Sequence, residues 1–118
     1  MLGVVAASFL CCISYWLLWN DHYTGRFRVS CITSLTLHQL AALSNLYAYQ
    51  LPGTGSDNRV FLREAAQGID WSSLVGTGAK FYTNALAALF SITGPSSIAA
   101  FETSVLDHAL LLMFVARL

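Results

Sequence analysis

Hydrophobic positions dominate the first part of the chain in two runs, residues 2–19 and 29–51, separated by the polar joint at 20–28. The only ionisable side chain in the second run, apart from cysteine and tyrosine, is His38. Neither run alternates as a half-buried strand does, and both are long enough for helices. A helix rising 1.5 Å per residue needs about 20 residues to cross a hydrocarbon core of ~30 Å. Each run meets or nearly meets that length. A soluble chain of 118 residues has little interior in which to hide two such segments. The pattern therefore predicts a bilayer as solvent.

Punctuation along the rest of the chain predicts further elements. Pro52-Gly53 ends the second run and reads as a turn. Residues 52–70 form the most polar loop, with Asp57, Arg59, Arg63, Glu64 and Asp70, and 60–67 can form a short surface helix. An apolar stretch over 72–93 carries Lys80, Gly94-Pro95 breaks it, and a last helix is expected over 96–117. Asp70 suits an N-cap and Pro95 a helix first turn. The expectation is a single all-α polytopic membrane domain, 1–118, of three to four short helices arranged as two hairpins. Four full spans are favoured. In the alternative, one half-helix dips in and returns.

Composition sharpens this picture. The chain is 56% hydrophobic, 13% aromatic and 10% charged, against about 25% charged in soluble domains. Six basic and six acidic residues cancel, so there is no nucleic-acid-binding tail. Tyr15, Trp16, Trp19 and Tyr23 form an aromatic belt at the end of the first run, which suits a retained span better than a cleaved signal sequence. The arginines at 26 and 28, against those at 59, 63 and 117, do not decide sidedness. Cys11, Cys12 and Cys31 have no metal-ligand spacing.

Ionisable groups within apolar segments are costly unless paired or wet, so Lys80, Glu102, Asp107 and His108 are the functional pointers. A hairpin at Gly94-Pro95 sets Lys80 level with Asp107, which predicts an intramembrane ion pair. Glu102 and Asp107 lie about 140° apart on a helix and do not form a two-carboxylate site. His38 and His108 fall near the middle of separate helices, each four residues after a serine, Ser34 or Ser104. Two such histidines can ligate one haem b. This placement resembles small haem-bearing membrane anchors such as those of succinate dehydrogenase, although their arginine and aspartate–tyrosine patterns are absent. Gly3, Ala7 and Cys11 form a small-residue strip for close helix packing. Polar side chains on the second run (Ser34, Thr36, Gln39, Ser44, Asn45) require partners, expected in other chains.

No nucleophile elbow, phosphate loop or metal cluster is recognisable, so no enzyme is expected. The expected role is that of an accessory subunit of a large membrane complex. A respiratory-chain or ATP synthase assembly of the mitochondrial inner membrane is the first choice, with other subunits and lipids as partners and no cofactor. The alternatives are a haem b or pigment anchor using His38 and His108, and a small homo-oligomeric pore built on Lys80, Glu102 and Asp107.

Overall fold

The computed structural model describes residues 1–47, 55–73 and 78–118, and every element among them is helical. The elements are α1 (Leu2–Asn20), α2 (Arg28–Tyr47), α3 (Gly55–Ala66), α4 (Gly78–Thr93) and α5 (Ser97–Arg117), with 3-10 turns at Thr24–Phe27 and Trp71–Ser73. The expected end of the second run at 48–51, the Pro52-Gly53 turn and residues 74–77 of the third expected helix lie outside the described residues.

The ends of the helices follow from local chemistry. Ser96 caps α5: its hydroxyl accepts from the Ala99 amide at 3.3 Å, one position after the ring of Pro95 sets the entry. Gly94, at φ 74°, takes the left-handed conformation that closes α4, and its amide bonds to the Phe90 carbonyl at 2.8 Å. At the joint, Thr24 donates its amide to Asp21 Oδ2 (3.0 Å) and its hydroxyl to the Leu18 carbonyl (2.9 Å). These bonds fold the chain from α1 into α2.

α1, α2 and α5 make one three-helix unit around Leu18, Cys31, Leu35, Ala42, Val105 and Ala109. α1 and α5 run parallel, because Gly3 meets Ser96 at one end and Asp21 meets Arg117 at the other. α2 runs antiparallel to α5, pairing Ser34 with His108 and His38 with Ser104. Of the small-residue strip, Gly3 and Ala7 are buried on α1, which packs chiefly on α5, while Cys11 is half-buried. A Cβ at Gly3 would stand 2.3 Å from Ser96 Oγ.

α3 and α4 pack on each other through Ala65, Leu86, Ala87 and Phe90, and reach α5 at Ala100. Phe61 of α3 meets Tyr82 of α4 edge to face, with centroids 5.6 Å apart. Since α2 is antiparallel to α5, it ends at the level where α5 begins, so α3 and α4 together make no net passage along the bundle. Four alternating spans would instead set α5 antiparallel to α1. The second hairpin also does not close as expected, because α5 packs chiefly on α1 and α2 while α4 leans on α3. That divergence explains a second correction: no Lys80–Asp107 ion pair forms, and Lys80 is exposed near the start of α4. Arg117 likewise falls at the α1–α2 joint, on the same side as Arg26 and Arg28.

α1 and α5 are each long and apolar enough to cross a membrane. α2 has comparable length but a more polar face.

Candidate functional site

The polar face of α2 meets α5, and His38, His108 and Glu102 converge there. His38 and His108 stack with ring centroids 4.5 Å apart and planes within 2° of parallel. Nε2 of His108 lies 3.1 Å from Ser34 Oγ, and Nε2 of His38 lies 3.0 Å from Ser104 Oγ. Each histidine thus bonds to the serine one turn before the other. The antiparallel register produces this exchange: two serine-x-x-x-histidine segments laid head to tail bring each hydroxyl beside the opposite ring.

Bis-imidazole haem ligation requires the two rings on opposite faces of a macrocycle, both Nε2 atoms aimed at the iron. Rings stacked in direct contact leave no space between them, and both Nε2 atoms are engaged by serines. The residues present do not fit a haem in this arrangement. The spacing signal for the two histidines located a shared depth correctly, while the serines serve as hydrogen-bond partners rather than as clearance for a flat ring.

One turn towards the N-terminus of α5, Gln39 Nε2 donates to Glu102 Oε1. Glu102 is 4% exposed. Its Oε2 and the amide oxygen of Gln39 are both buried without a hydrogen-bond partner. Above the histidines, Thr36 donates to the Ile32 carbonyl at 2.8 Å, so the Tyr15 hydroxyl, 3.1 Å away, is the donor to Thr36. Of the polar side chains on the second run, Ser34, Thr36 and Gln39 each make a hydrogen bond within this chain, as does His38.

Asp107 lies outside that network. It lines a cavity of about 470 Å³ between the α2/α5 face and the α3/α4 pair, together with His38, Ser104, Phe61, Tyr82 and Phe101. Glu102 and Asp107 do face different surroundings, as their angular separation requires. Lys80 does not line this cavity. No group of three or more histidine, cysteine or acidic residues is placed to hold a metal among the described residues.

Asp21 anchors the far end of the bundle. Its Oδ1 accepts from Arg117 at 2.6 Å, and the guanidinium of Arg117 lies 5.1 Å from the Tyr23 ring centroid. Arg28 stacks similarly over Trp19 at 4.7 Å. These aromatic residues were read from the sequence as an interfacial belt. Their cationic partners were not: the Arg117–Tyr23 contact depends on the parallel course of α1 and α5, and the Arg28–Trp19 contact on the turn at the α1–α2 joint.

Compared with known protein families, with curated proteins and with solved structures, the chain matches none.

Proposed function

We propose that the chain is a non-catalytic structural subunit of a larger membrane assembly, with α1, α2 and α5 as its spans and α3–α4 as a segment that enters and returns. One observation carries this reading. α1 and α5 bury only narrow stripes of mostly small residues and turn bulky apolar side chains outward, among them Val5, Phe9 and Trp16 on α1 and Leu111, Phe114 and Val115 on α5. Contiguous exposed apolar surface of that kind belongs against lipid or another chain. Ser34, Thr36 and His38 of α2 find hydrogen-bond partners inward, as an apolar solvent demands.

In such a setting the chain contributes packing: an apolar outer face for neighbouring subunits and lipid, held rigid by a hydrogen-bonded α2–α5 seam. By analogy with the many small, apolar, motif-free subunits of energy-converting complexes, we assign that assembly to the mitochondrial inner membrane. The test is native size after extraction from the source membrane in a mild detergent. Co-migration with a far larger particle is expected, and migration as a small particle defeats the proposal.

A further inference from the structure

The cavity beside Asp107 has the size of a small-molecule site, and its lining is chemically one-sided. Pockets that hold small organic molecules run to about 300–1,000 Å³ and combine apolar walls with a few placed polar groups. At about 470 Å³ this cavity lies within that range. Its walls include three aromatic rings, Phe61, Tyr82 and Phe101, and the aliphatic side chain of Leu86. Among the described residues the one acidic side chain in the lining is Asp107, which is exposed; His38, Asn45 and Ser104 add polar groups, and neither lysine nor arginine lines it. Among the described residues the Asp107 carboxylate has no ion-pair or hydrogen-bond partner.

An exposed carboxylate lining an aromatic, largely apolar cavity favours a positive ligand. An inorganic cation is a poor match, since hard cations need six or more oxygen ligands or retained waters. A cation carrying its own apolar substituents suits both features, because aromatic faces attract ammonium groups and apolar walls accept their carbon shell.

We propose that this cavity binds an organic ammonium cation, with Asp107 as the counter-charge and Tyr82 and Phe61 as the aromatic wall. The site is independent of the structural role above and stands or falls separately from it. The same chemistry is offered by a free quaternary amine and by the trimethylammonium headgroup of a choline lipid.

The experiment is equilibrium dialysis of radiolabelled benzyltrimethylammonium against the full chain in a neutral maltoside detergent, with empty micelles as the blank. Saturable uptake near one cation per chain is expected. Asp107→Asn should weaken it severalfold, roughly the contribution of one charge contact at an exposed position. Asp107→Glu should retain most of the binding, and Tyr82→Leu should weaken it severalfold. Thermal unfolding of each variant checks that the bundle persists. Competition by added phosphatidylcholine and not by phosphatidylglycerol identifies a lipid headgroup as the source, whereas lack of competition identifies a free amine. Uptake no greater than that of empty micelles overturns the proposal. So does saturable binding that Asp107→Asn leaves unchanged in a folded chain.

Discussion

His38 and His108 stack face to face at 4.5 Å, and each is held by a serine from the opposite helix. This reciprocal arrangement makes the α2–α5 seam a matched pair of contacts rather than a general apolar interface. Removing either serine leaves an imidazole nitrogen without its partner. Ser34→Ala and Ser104→Ala should each cost about 1 kcal/mol in detergent unfolding experiments. Because both serines act through one stack, their effects should not add. A double-mutant cycle that returns strict additivity removes the coupling.

At the other end of the α1–α5 contact, Gly3 has no room for a side chain. A Cβ there would stand 2.3 Å from Ser96 Oγ and 2.6 Å from Ser96 Cβ. Gly3→Ala should destabilise by about 1–3 kcal/mol as the two helices are forced apart. Ser96→Gly in that background removes both clashing atoms at a cap cost of only a few tenths of a kcal/mol, so it should recover most of the loss. Thermal melts of the single and double variants decide the matter. No recovery means that the helices meet elsewhere.

Glu102 and Gln39 share one hydrogen bond, yet each has a buried oxygen without a donor. The pair has an excess of acceptors. Glu102→Gln keeps the accepting oxygen and adds an amide that can donate, so this variant should unfold at the same or a higher temperature than the parent. Glu102→Leu leaves the Gln39 amide unpaired and should cost about 1–3 kcal/mol. A large loss in the glutamine variant would show that the negative charge itself supports the bundle.

Asp21 and Arg117 should respond asymmetrically. Asp21 is buried and also accepts the Thr24 amide, whereas the Arg117 side chain is 43% exposed and partly screened. Arg117→Met is expected to cost about 1 kcal/mol or less, as for partly exposed ion pairs. Asp21→Ala should cost more, because it also opens the joint between α1 and α2. Equal losses from the two changes would mean that the Thr24 bond contributes nothing.

Local chemistry was legible in the sequence where a residue's effect is short-ranged. Pro95 marked the start of α5, although it precedes the Ser96 cap rather than lying in the first turn, the polar joint marked the α1–α2 turn, and the Gly3–Ala7 spacing marked a close-packing stripe. The partner of that stripe was not legible, since small residues recur on several helices and nothing local says which pair will meet. The Lys80–Asp107 pairing failed for a related reason. It assumed that helices joined by a tight turn lie against each other, but α5 finds better complementarity with α1 and α2. His38 and His108 were correctly matched in depth. Whether two rings clamp a ligand or stack depends on their lateral distance, which spacing along a helix does not encode.

The parallel pairing of α1 with α5 sets an order of events during synthesis. The bond between Asp21 and Arg117 joins positions 96 residues apart in the chain. α1 therefore leaves the ribosome and enters its surroundings long before its main packing partner exists. Through that interval its Gly3–Ala7 stripe lacks the helix it packs on, and α2 can offer α1 only part of its final contact. Completion of the fold waits on the arrival of α5, so a chain arrested after α4 should expose α1 to protease or helix-binding chaperones in a way that the finished bundle does not.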